Sequence, residues 1–125
     1  MANSPIFVGT PKSSSVSIST ANTNRDGSTG TYGTVHTAGA SGARVDTLNI
    51  SATGTTTAGM VRLFVDTALI RELPVGAITP SGTQPAWSVD VEFENGLILA
   101  ASTVLKASTH NAETFKVTIT NGGDF

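Results

Sequence analysis

The side chains able to do chemistry in this chain are histidines, carboxylates and hydroxyls, because it contains no cysteine. Thiolate nucleophiles, disulfides and cysteine-based zinc sites are excluded together. The two histidines, His36 and His110, lie in different segments, and neither has a second histidine or a carboxylate at metal-ligand spacing. His110 can meet Glu113 locally, and both histidines read as polar turn residues. Asp90, Glu92 and Glu94 alternate along one stretch, as a carboxylate pair for glycoside hydrolysis could. Like charges on one polar face are more simply a solvated face, or one that meets Arg or Lys on another chain. Asp26-Gly27 with Asn22 and Asn24 follows part of a calcium loop but lacks its acidic density. Gly27 and Gly30 are not followed by the Lys-Ser or Lys-Thr of a phosphate loop, and no Gly-x-Ser-x-Gly elbow marks a nucleophile. The pattern predicts no catalytic residues, no metal ligands and no cofactor: a protein that binds or builds rather than an enzyme.

Partners are bounded by charge. Charged residues make up 13% of the 125 residues and the net charge is -2, so the positive field needed for phosphate backbones or anionic lipid is missing. Nucleic acid and membrane are therefore not expected partners. The N-terminus has neither a basic leader region nor a long apolar run, and no segment reaches the ~20 apolar residues of a membrane span. A chain of this length fits one domain that buries roughly two thirds of its unfolded surface.

Abundant Thr, Ser, Gly and Ala with few Lys and Glu favour strands joined by tight turns. The central stretch is Gly54 to Val65, where Val61, Leu63 and Val65 share one face and Met60, Arg62 and Phe64 the other. Arg44 to Ala52 offers a matching strand, its apolar parity changing between Val45 and Leu48 as at a bulge. The simplest local expectation joins these two strands as a long antiparallel hairpin. Further strands are predicted at Ser14 to Thr20, Tyr32 to Thr37 and Ile70 to Val75, where Pro74 marks a sheet edge or a strand end. Trp87, Val89, Val91 and Phe93 share a core face, which argues against Trp87 as an exposed platform. Asn95-Gly96 predicts a tight hairpin turn. In Leu97 to Ala107, Leu97, Ile98, Ala101 and Leu105 also match a helical stripe, while Thr103 and Val104 favour two short strands, Leu97 to Leu99 and Thr103 to Ser108. Phe115 to Thr120 follows as a further strand. Ala21 to Gly33 and residues 76 to 86 are loops.

About eight short strands predict an all-β, two-layer antiparallel β-sandwich, jelly-roll-like, with an immunoglobulin-like sandwich as the alternative. Residues 1–13, with Pro5 and Pro11, read as an extended N-terminal arm, and residues 14–125 as the single sandwich domain. The arm carries Ile6, Phe7 and Val8, an apolar group that needs a place to go. It is the candidate partner-binding site, adding either to an edge of its own sheet or to a neighbouring subunit.

Two stretches carry a family likeness: Thr37 to Val45 leading into Ala52 to Phe64, and Leu105 to Thr109 with Gly122 to Phe125. They resemble small virion structural proteins of tailed bacteriophages, of the kind that includes jelly-roll capsid decoration, or cement, proteins. The resemblance implies a location on the outer surface of the virion capsid, a homotrimer, and the major capsid protein as partner. It carries over no catalytic residue. A tail- or fibre-associated carbohydrate-binding jelly roll is the alternative, with Trp87, Tyr32 and Phe64 as its candidate aromatics.

Overall fold

A computed structural model describes residues 8–125 of the chain. Its regular elements are all strands: β1 (Thr10–Pro11), β2 (Ser15–Ile18), β3 (Gly33–Thr37), β4 (Ala43–Ala52), β5 (Gly59–Val65), β6 (Ala68–Val75), β7 (Ser88–Leu99), β8 (Val104–Thr109) and β9 (Phe115–Asp124). They form two antiparallel sheets. One has the order β1-β9-β4-β7, with β2 also paired to β9; the other has the order β3-β8-β5-β6. The sheets pack as a β-sandwich, in agreement with the fold class read from the sequence.

The pairing is nested. β2 pairs with β9, β3 with β8, β4 with β7 and β5 with β6, so the chain folds as one long hairpin whose tip is the β5–β6 turn. The β4–β9 and β5–β8 ladders then close each sheet. Residues far apart in the chain are thereby brought edge to edge, with β1 and β2 lying beside β9.

Alternation supplies the core. Leu48 and Ile50 of β4 and Phe115, Val117 and Ile119 of β9 meet Val61 and Leu63 of β5 and Leu105 of β8 across the interior. Trp87 packs edge-on against Phe115, with ring centroids 5.6 Å apart. The parity change in β4 is a real irregularity, with register shifts between Val45 and Leu48.

Two local expectations are corrected. β4 and β5 do not pair with each other; they lie in opposite sheets. Both flanks of β4 are taken by the longer β7 and β9, and the connection after Ala52 crosses the sandwich, tied by the Thr53 amide to Thr114 O and by Thr56 to Ile78. Opposite sheets also let both strands turn their apolar faces to one core, which a flat hairpin satisfies only with a further layer. Asn95-Gly96 likewise is not a hairpin turn. Its positive φ angles (64° and 79°) form a wide bulge inside β7, where Phe93 to Gly96 stand against Asp46 alone. The strand resumes in the same direction because Leu97 finds Val45. Val91 and Leu99 keep the same buried parity across the bulge.

Candidate functional site

Of the predicted partner-binding residues, Ile6 and Phe7 lie outside the described residues, and Val8 is half-buried. The segment following Val8 adds to an edge of its own sheet. The Gly9 amide donates to Asp124 O at 2.9 Å and the Lys12 amide to Gly122 O at 3.0 Å, while Thr10 and Pro11 stand opposite Asp124 and Gly123. β1 and β2 thus follow each other along the same side of β9. Thr10, Pro11 and Lys12 remain exposed, so this attachment consists mainly of backbone hydrogen bonds. Gly123, at φ 155°, makes the close approach possible: a Cβ there would meet Thr10 O, Val8 and Pro11.

The end of β9 is locked from the other sheet. His36, on β3, donates from Nε2 to Asp124 Oδ1 at 2.8 Å, and the Gly39 amide donates to the same oxygen at 3.1 Å. An ionised carboxylate only accepts, so the proton sits on Nε2. The His36 side chain is 7% exposed and that of Asp124 21%. The His36 hydrogen bond, then that of the Gly39 amide, holds the Asp124 carboxyl below the usual aspartate range against the opposing effect of burial. This pair joins residues 88 positions apart, so no local spacing announces it.

A second polar cluster occupies the outer face of the β3-β8-β5-β6 sheet. Arg62 of β5 donates from Nε to Glu72 Oε2 at 2.9 Å, and Arg25 reaches Glu72 Oε1 at 2.6 Å. Arg62 Nη1 donates to His110 Nδ1 at 3.3 Å. The local His110–Glu113 contact expected from spacing is replaced: Glu113 instead accepts from the amide and hydroxyl of Thr57, each at 2.8 Å. Arg62, then Arg25, pulls the Glu72 carboxyl below its ordinary value. The loop between β2 and β3 covers this face, with Tyr32 edge-on to Phe64 at 5.1 Å and Lys106 Nζ donating to Gly27 O at 2.6 Å. Both faces of β5 are therefore buried, and Phe64 is as enclosed as Leu63. Within the loop, Asp26 accepts from the Ser28 and Thr29 amides and the Thr29 hydroxyl. These bonds hold its carboxyl well below the carboxylate range. Its oxygens brace the turn itself.

The outer face of the β2-β9-β4-β7 layer is a hydroxyl and amide surface arranged in rows. Ser15, Thr118, Asn49 and Asp90 form one row across the strands; Ser17, Lys116, Ser51 and Ser88 form the next. Side-chain hydrogen bonds tie the rows internally: Ser15–Thr118 at 3.0 Å, Asn49–Asp90 at 2.9 Å, Ser51–Ser88 at 2.9 Å and Thr120–Thr47 at 2.9 Å. Asp90 is thus part of a hydrogen-bonded row, while Glu92, Glu94 and Asp46 border an open groove at the β7 bulge. Among the described residues no group of His, Asp and Glu has the arrangement of a metal site.

Comparison with protein families, curated proteins and solved structures finds no match. The geometry must speak for itself. It offers a short strand at one edge, a hydrogen-bonded polar face, and a small cavity beside Tyr32 lined by hydroxyl-bearing residues. His36 and His110 are both engaged in contacts that hold elements together. Among the described residues their side-chain hydrogen bonds go to Asp124 and Arg62 respectively.

Proposed function

We propose that this chain is a non-enzymatic decoration protein of a tailed-phage capsid: a jelly-roll sandwich that sits on the outside of the shell as a homo-oligomer, a trimer by family likeness, and bridges major capsid protein subunits. The nested pairing of β2 with β9, β3 with β8, β4 with β7 and β5 with β6 supports the jelly-roll assignment. The observation that carries the functional reading is the attachment of β1. A strand held on an edge by Thr10–Pro11 and two flanking amides can be exchanged for the equivalent edge of a neighbour, because the hydrogen bonds lost are replaced in kind. The rows, mostly Ser, Thr and Asn with Asp90 and Lys116 as their charged members, give a broad, weakly charged surface suited to close packing in many copies. Weak individual contacts then suffice, since attachment around a symmetry axis raises the effective affinity.

The test is location and stoichiometry in purified virions by electron microscopy. About one copy per capsid subunit supports the reading; a handful of copies at the tail refutes it. Deletion of residues 1–10 is expected to weaken capsid attachment while the fold persists, and equal binding by the truncated protein removes the arm from the proposal.

A second reading, a tail- or fibre-associated carbohydrate-binding module, is favoured by one feature: Tyr32, a candidate aromatic, lines the hydroxyl-rich cavity. Phe64 is fully enclosed and Trp87 packs on Phe115, which leaves Tyr32 as the aromatic of that reading. Saturable binding on a glycan array tests it.

A further inference from the structure

Between β2, the start of β3 and the end of β8 lies a cavity of about 90 Å³, lined by Ser17, Ser19, Thr31, Tyr32, Ser108 and Thr109 among others. Ser108 is 1% exposed, and its Oγ is the buried side-chain polar atom that finds no hydrogen-bond partner among the described residues. A buried hydroxyl without a partner is costly and points to a group supplied from outside the chain. The surrounding frame is built rather than incidental. Asn22, itself buried, donates from Nδ2 to Thr31 O at 3.0 Å and from its amide to Thr109 O at 2.8 Å, tying the covering loop to β8 beside the cavity.

We propose that this cavity binds a neutral polyol, either a glycerol-sized molecule or the hydroxymethyl end of a hexose. The proposal deepens the carbohydrate reading and is independent of the decoration reading. Size and form set the first limit: the pocket is small, about 90 Å³, and partly open to solvent, so it takes a few heavy atoms of a ligand while the rest of a larger molecule stays outside. Chemistry sets the second. Among the described residues no charged side chain lines the cavity, which favours a neutral ligand. Hydroxyls both donate and accept, as does a polyol, and the Tyr32 ring offers an apolar surface for its C–H groups. Lys106, 4.5 Å from that ring, is already engaged by Gly27 O. Ser108 lines the cavity while its Oγ is shielded, so its χ1 must turn to another staggered rotamer to meet an incoming oxygen.

The test is titration of the full chain, followed by backbone amide NMR, with three probes: glycerol, methyl α-glucopyranoside and methyl β-galactopyranoside. Saturable shifts confined to Ile18, Gly33 and Thr109 are expected for at least one probe. Response to glycerol alone identifies a free polyol as the source, and response to a glycoside a sugar end. Ser108→Ala is expected to raise the dissociation constant about five- to tenfold, the loss of one hydrogen bond, while the melting temperature holds or rises because an unpaired hydroxyl is gone. No saturable shift with any probe, or unchanged affinity in Ser108→Ala, overturns the proposal. Glycoside shifts mapping elsewhere overturn it too but leave the carbohydrate reading standing; absence of glycan binding on an array removes that reading without touching a glycerol response at the cavity.

Discussion

Replacing Asp124 by Asn isolates the clasp between the two sheets. The carboxylate accepts from His36 Nε2 at 2.8 Å and from the Gly39 amide at 3.1 Å, and the amide side chain keeps the shape but loses the charge. A hydrogen bond to a charged group contributes about 1.5–3 kcal/mol. The amide oxygen still accepts both bonds, so only their charge assistance is lost. With the Asp124 side chain 21% exposed the lower end applies, about 0.5 kcal/mol for each bond and a net loss of about 1 kcal/mol at neutral pH. For a chain of this size that is a fall of roughly 4 °C in melting temperature.

The pH dependence sharpens the test. Asp124 titrates below its unfolded value of about 3.9, so its contribution is complete above that value and is lost as the pH falls through the depressed folded one. The gap between wild type and Asp124→Asn is therefore wide at pH 7 and closes in acid. Thermal or urea denaturation at a series of pH values measures it. Equal stability at pH 7, or a gap that persists once both proteins carry an uncharged side chain, refutes the assignment of the clasp. A double-mutant cycle with His36→Gln should give a coupling of about 1 kcal/mol.

Gly123→Ala puts a Cβ against Thr10 O and Pro11. It is expected to release β1 while the sandwich remains, seen as faster hydrogen exchange at the Gly9 and Lys12 amides; unchanged protection there contradicts the docking of β1 on β9. Phe64→Ala should cost about 3–5 kcal/mol by denaturation, as for a fully enclosed core aromatic, although Phe64 lies on the outer face of its sheet. A loss under about 1 kcal/mol would show that the β2–β3 loop does not seal that face. The Glu72 carboxyl should titrate below the ordinary glutamate range by carbon-detected NMR and move back towards it in Arg62→Met, since Arg62 is the largest cause of the shift.

Sequence alone determined the strands and most of their facings. Val61 and Leu63, Val89 and Val91, and Phe115, Val117 and Ile119 alternate with polar residues, and period two leaves little choice about which side is buried. Pro74 marked an edge, and the parity change after Val45 marked a bulge. These signals are local, because each needs only a residue and its near neighbours.

Only the tertiary structure decided which strand pairs with which. β4 bypasses β5 for β7 and β9, a choice made by competition among distant partners that no single window contains. Asn95-Gly96 supplies the positive φ values that a hairpin needs, yet the chain on either side finds β4 and continues as a bulge. His36 and Asp124, and Arg25, Arg62 and Glu72, meet because nested pairing brings remote segments to shared edges. The outward face of β5 is buried because a polar loop happens to fold over it. Alternation records which way a side chain points; only the assembled layers decide what it meets there.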